Sequence, residues 1–178
     1  MRKNVTALLL FATTVFCAES NAAPVTWIAG VGHWANAGFW LPVGIPAAGD
    51  DIILNDANLT QFIEVSPAVG FNGNPSVGSV FIGANNGGFA ADEIHVTNGR
   101  VFTITGGGFV NNGIFSLNSG GALTQLSLVG AQTINATAAG VTGELRLSDN
   151  TNNRITTNNT VVTQGAKHRI RSSRTRAG

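Results

Sequence analysis

From residue 49 onward, clusters of Asn and Gly recur about once every dozen residues, at 85–88, 98–99, 106–108, 111–113, 118–121 and 150–153. Asn and Gly tolerate the left-handed backbone of tight turns, so the chain is punctuated too often for ordinary helices. The segments between them are short and apolar at alternate positions. Phe102 and Ile104, Phe115 and Leu117, Leu126 and Leu128, and Leu145 and Leu147 each show the period of a strand with one buried face. Strands are expected at 51–54, 60–65, 77–82, 93–97, 100–105, 113–118, 122–129, 132–136, 143–148, 154–157 and 160–163. The stock of surface helices is missing: no Lys occurs between Lys3 and Lys167.

The fold class is therefore all-β, and two architectures fit the rhythm: a β-solenoid and an antiparallel β-sandwich. The segments resemble one another in kind, which favours a right-handed parallel β-helix. With roughly ten residues per strand and turn, a coil is expected to take about two such units or slightly more.

The chain divides into four segments. Residues 1–22 read as a signal peptide: Arg2 and Lys3 precede an apolar run from Val5 to Ala18, and Ala22 closes a small-residue cleavage site. The run is too short to span a bilayer, and no transmembrane segment is expected in the mature chain. Cys17, the only cysteine, lies in that run, so a disulfide and a thiolate metal site are excluded from the mature protein. Residues 23–48 hold Trp27, Trp34 and Trp40 with Pro24, Pro42 and Pro46, and read as an aromatic cap over the first coil. Residues 49–163 read as solenoid coils. Residues 164–178 read as a basic disordered tail with one large apolar residue, Ile170. Between Pro24 and Val162 three arginines oppose eight carboxylates, a net charge of −5, and Lys167, Arg169, Arg171, Arg174 and Arg176 return +5 in the tail.

The series Trp27, Gly32, Trp34, Trp40, Gly44, Pro46, Gly49, Asp50, Asp51, Ile52 resembles the opening of large bacterial exported proteins. The stretch from Gly121 through Leu128, Thr133, Gly140, Leu145, Leu147, Ser148, Asp149, Asn150, Asn153, Arg154 and Ile155 is similar to coils of filamentous-haemagglutinin-like and autotransporter-passenger β-helices. That resemblance implies an adhesin-like role at the bacterial outer membrane or outside the cell. Such proteins run on for further coils to a barrel or sorting segment, and the rhythm here stops near Gly165, so the resemblance implies a truncated member.

The search for catalytic chemistry yields little. His33, His95 and His168 are too scattered to share a metal. Asp50 with Asp51, and Asp92 with Glu93, are neighbours that a strand turns to opposite faces, and they read as charged strand edges. Asp149, Arg146 and Arg154, with Glu144 nearby, form the best trio for a polysaccharide lyase or hydrolase, and Glu144 and Arg146 share a face opposite Leu145 and Leu147. A surface ion pair accounts for them equally. Residues 149–153 offer oxygens for calcium, although no ligand repeat is visible. Gly106, Gly107 and Gly108 open no helix and read as a turn rather than a phosphate loop. Thr103 and Thr105 form one Thr-x-Thr step that is not repeated in register.

The expectation is a secreted or cell-surface structural, adhesin-like protein, not an enzyme, with no catalytic, cofactor or metal site. Its partners are host or environmental glycans or surface proteins, not nucleic acid. The alternatives are a carbohydrate-active β-helix enzyme and a fragment with no independent function.

Overall fold

The computed structural model describes residues 24–67, 73–84, 91–158 and 160–173. The expected signal peptide, Cys17, the turn at 85–88 and the last five residues lie outside the described residues. The first coil and its cover hold β1 (Pro24–Trp27), β2 (Val31–His33), a 3-10 turn (Ala37–Phe39) and β3 (Trp40–Leu41). The next three coils hold β4 (Asp51–Leu54) and β5 (Phe62–Val65), β6 (Ser76–Ile82) and β7 (Glu93–Thr97), then β8 (Val101–Asn111) and β9 (Ile114–Asn118). They are followed by β10 (Thr124–Leu128), β11 (Gln132–Asn135) and β12 (Gly143–Ser148), and then by β13 (Asn153–Thr157), β14 (Val162–Gln164) and β15 (His168–Ser173).

Each strand pairs in parallel with its counterpart in the coils before and after, giving a β-solenoid of about five turns. Among the described residues, the one antiparallel pairing is β3 on β1. This excludes the sandwich, whose successive strands would pair with each other. The coils stack into three walls. Wall one runs β1, β4, the end of β6, the end of β8, β11 and β14. Wall two runs β2, β5, β7, β9, β12 and β15. Wall three runs from the start of β6 through the start of β8 to β10 and β13.

Three walls explain why a coil is longer than expected. Register partners one coil apart are separated by 28 residues at Asp51 and Ser79 and by 29 at Gln125 and Arg154, though by 21 at Glu93 and Ile114. Most coils thus take nearly three strand-turn units, while the one from β7 to β9 takes about two.

The alternation seen in sequence becomes columns of stacked side chains inside the tube. Val25, Ile52, Val80, Phe109 and Ile134 are in register along wall one. Ile63, Ile94, Phe115 and Leu145 line wall two, and Phe102 and Leu126 line wall three; all eleven are buried. Asparagines tie the corners: the Asn98 Oδ1 accepts from the Gly120 and Ala122 amides, and the Asn112 Oδ1 accepts from the Thr137 and Ala138 amides. Their side chains bond the next coil as well as permitting turns.

Gly106 to Gly108 do not form the expected turn, because β8 runs straight through them. The reason lies one coil below, where the register of β6 shifts between Val77 and Ser79. A Cβ at Gly106 would collide with the Gly78 carbonyl oxygen, and one at Gly78 would collide with that of Gly49. These glycines let wall three bend into wall one while the ladder continues.

The expectation of a disordered tail fails up to Ser173. His168 to Ser173 pair in register with the whole of β12, and His168 is buried. The residues alternate, His168 and Ile170 against Arg169 and Arg171, so this segment carries the same period-2 pattern as the body. Its charge masked that pattern.

At the other end, Trp27, Trp34 and Trp40 are all buried. Edge-to-face contacts carry the core from Trp27 to Trp40 and Trp34 at centroid distances of 4.9 Å, then to Phe102 and Phe115 at 5.3 Å. The Trp40 Nε1 donates to the Trp34 carbonyl at 3.0 Å. A first coil without this unit would leave the column of Val25 and Ile52 open to water. Trp40→Ala should cost about 3–5 kcal/mol, the range for truncating a buried large aromatic. Urea unfolding checks this, and a loss below about 1 kcal/mol would mean that the tryptophans are not part of the cooperative core.

Candidate ligand-binding face

Parallel in-register stacking builds columns outside the tube as well as inside. On the outer face of wall two, one column reads His33, Glu64, His95, Ser116, Arg146 and Arg171. The neighbouring column reads Val31, Phe62, Glu93, Ile114, Glu144 and Arg169. Successive members are about 4.8 Å apart along the solenoid axis. Ser116 donates its hydroxyl to Glu93 at 2.5 Å, and the Phe62 ring meets His95 edge to face at 5.6 Å.

The strongest charge constellation sits where β12 meets β15. The Glu144 carboxylate, whose side chain is 7% exposed, accepts from Arg146 Nε at 2.5 Å and from Arg171 at 2.6 Å on Oε2. Its Oε1 accepts from Arg169 Nε at 2.8 Å and from an Arg169 terminal nitrogen. Burial pushes this carboxyl up, but the Arg169 and Arg146 hydrogen bonds and the Arg146 and Arg171 charges outweigh it and hold it below its ordinary value. The alternation of β12 and β15 places these four side chains together. Sequence reasoning found Glu144 and Arg146 and missed Arg169 and Arg171, having assigned them to a tail.

The other expected groups do not converge on this site. Asp149 lies in the turn after β12, and Arg154 is exposed on β13 of wall three, so the trio of Asp149, Arg146 and Arg154 is divided between walls. His33 and His95 share the outer column with Glu64 between them, while His168 points inward, where its Nε2 accepts from Asn111 Nδ2 at 3.2 Å. Burial pulls the His168 pKa down and the Glu144 charge partly offsets it, so this imidazole is neutral at pH 7. Among the described residues, no three His, Cys, Asp or Glu side chains are grouped to hold a metal.

The turn read as a calcium candidate uses its polar groups within the fold. Asn150 Oδ1 accepts from the Asn152 amide, Asn153 Oδ1 from the Ser119 amide, and Asn153 Nδ2 donates to Ser148. Nor are the acidic pairs mere strand edges. Asp50 caps the Ala47 amide, Asp51 accepts from the Ser79 hydroxyl, and Asp92 is buried. Asp92 accepts from the Gln61 amide at 2.9 Å, while Gln61 Nε2 reaches the Trp27 carbonyl. Burial raises the Asp92 carboxyl to about 6, the Gln61 bond opposes the rise and the Asp56 charge adds to it. Thr103 lies in an outward column with Ser76, Ser127 and Thr156, and Thr105 bonds the Val77 carbonyl.

The chain matches no protein-family model, no curated protein and no solved structure. Its class is therefore given by its own geometry: a capped, three-walled β-solenoid with a polar ladder on one outer wall. Among the described residues, no helix is long and apolar enough to cross a membrane.

Two carboxyls shifted in opposite directions give a signed pH test. The raised Asp92 pKa stabilises the fold fully below 3.8, and that contribution is lost as pH rises through about 6. The lowered Glu144 pKa contributes stability above 4.5 that is lost as pH falls through its folded value. Asp92→Asn should therefore gain on the parent protein between pH 4 and 7, by on the order of 2 kcal/mol. Glu144→Gln should lose about 1–2 kcal/mol at pH 7, discounted for the half-exposed arginines, and its deficit should narrow as pH falls below 4.5. Urea midpoints across pH 3.5–8 measure both, and parallel profiles for all three proteins would refute the assignment.

Proposed function

We propose that this chain is a secreted or cell-surface structural protein of the adhesin type, which holds glycans or surface proteins against its outer walls and does not turn them over. The observation that carries this reading is the six-strand ladder of polar side chains on wall two, an extended flat surface rather than an enclosed cavity. Export is supported by the order of charge, apolar run and small-residue site in the first 22 residues.

The carbohydrate-active alternative meets a physical obstacle in Glu144. Glycoside hydrolysis needs a carboxyl kept protonated near neutral pH to deliver a proton to the leaving oxygen. Three guanidiniums hold Glu144 ionised instead. The raised carboxyl, Asp92, is buried at a corner and bonded to the Gln61 amide.

Two measurements test the reading together. Expressed from Met1 in a bacterial host, the protein should leave the cytoplasm with a mature N-terminus at Ala23 or Pro24, read by intact mass. Incubated with a panel of neutral and acidic polysaccharides, it should release neither reducing ends nor unsaturated sugars. Cytoplasmic retention, or release abolished by Arg146→Ala, would overturn it.

A further inference from the structure

We propose that the outer face of wall two, from β7 to β15, is a binding site for an acidic polysaccharide, with Arg146, Arg169 and Arg171 receiving the oxyanion of one sugar. This rests on the glycan-holding reading above and names the ligand class and the residues.

One carboxylate faces three guanidiniums at this point, leaving a local surplus of two positive charges. A guanidinium presents five N–H donors in a planar fork. Arg146 spends its Nε–H on Glu144, Arg171 one terminal nitrogen, and Arg169 its Nε–H and one terminal nitrogen, which leaves N–H donors on each. Glu144 thus acts as a pivot: it fixes three cations in place without consuming their capacity to bind an anion. Arg171 and Arg169 remain about half exposed, at 46% and 56%, so the unspent donors face solvent.

The surroundings favour a sugar chain. Arg146 lines two adjoining depressions. One, of about 220 Å³, is shared with Glu93, His95, Ser116, Asn118 and Ser148. The other, of about 170 Å³, lies beside Asn112, Thr142 and Glu144. Both are smaller than the roughly 300–1,000 Å³ of drug-sized ligand sites, and they adjoin at one arginine. Consecutive units of a polymer fit that arrangement better than one enclosed molecule does. Hydroxyl, carboxylate, amide and imidazole groups supply the mixed donors and acceptors that sugar hydroxyls need. Phe62, on β5 one rung beyond the site and edge to face with His95, offers an apolar surface to a pyranose ring of a chain that extends that far.

Charge spacing decides against nucleic acid. A duplex carries one charge per roughly 1.7 Å and calls for a continuous basic track. Glu64 and Glu93 lie on this same face, so the basic patch is confined to its β12–β15 end. A polysaccharide with one oxyanion per sugar or per few sugars matches a single cationic patch flanked by carboxylates.

The test is titration calorimetry of the exported chain with three polymers of matched length: polygalacturonate, dextran sulfate and unmodified dextran. Both acidic polymers, or one of them, should bind while dextran does not, and the tighter one identifies carboxylate or sulfate as the preferred oxyanion. Arg146→Gln and Arg171→Gln should each weaken binding about tenfold or more, as expected for losing a charge-assisted contact. Arg171→Lys should recover part of the loss at an unchanged melting temperature, separating binding from folding. Arg154→Gln, on wall three, should leave affinity unaltered. Equal binding of dextran, equal weakening by Arg154→Gln, or no binding of either acidic polymer would overturn the proposal. Dextran binding without acidic preference leaves the structural reading intact. Retention in the cytoplasm or polymer cleavage removes that reading whatever the affinities.

Discussion

Everything in this fold depends on the parallel hydrogen-bond ladder between successive coils. A parallel ladder in register fixes a residue above its counterpart one coil earlier, so each position is repeated along the axis at about 4.8 Å. Inside the tube the repetition is favourable whatever the side chain, provided that it is apolar and of compatible size. Val25, Ile52, Val80, Phe109 and Ile134 satisfy it with three residue types in five coils. Such a core tolerates sequence drift, which accounts for internal repeats that are similar in kind and seldom identical.

The ladder also dictates where function can reside. Outward columns have no core to fill, so their chemistry is limited by what neighbouring coils can tolerate side by side. Opposite charges and hydrogen-bonding pairs stack well, as His95 above Ser116 and Ser116 beside Glu93 show. Like charges do not stack well. The ends face a separate difficulty, since a terminal coil has a ladder and a core partner on one side only. At the N-terminal end the antiparallel β3 and three buried tryptophans answer it. At β15, the last strand among the described residues, Ile170 is 46% exposed above the buried Leu145.

Much of this was legible in sequence because strands and turns are local. Period-2 apolar pairs located β4, β7, β9 and β12 to within a residue or so, and Asn and Gly marked corners. The coil length was not legible, because it depends on how many walls the tube has, and nothing local records that number. Gly106 was misread for a related reason: its requirement comes from Gly78, 28 positions earlier in sequence and directly beneath it in space. Asp92 was likewise taken for a surface charge, although its partner is the Gln61 amide 31 residues away. The misreading of residues 164–173 differs in kind. There the alternation was present, but two arginines pointing out were weighed as composition rather than as one face of a strand.

Those arginines show how the ladder and the site explain one another. Arg146 and Arg171 occupy adjacent rungs of one outward column, a like-charge pairing that destabilises a sheet when left alone. Glu144, in the next column, is bridged to both through a single oxygen and to Arg169 through the other. The carboxylate thereby makes an otherwise unfavourable stack compatible with the parallel register. It neutralises only one of three charges, however, so the fold is stable with a residual cationic focus on its outer wall. A structural ion network would need no such surplus; balancing it would take two further carboxylates at neighbouring rungs. The position beneath Glu144 in its own column is Ile114, and the one beneath Arg146 is Ser116, neither of which supplies a charge. The excess is thus a property of the register itself, and an external oxyanion is the partner proposed to complete it.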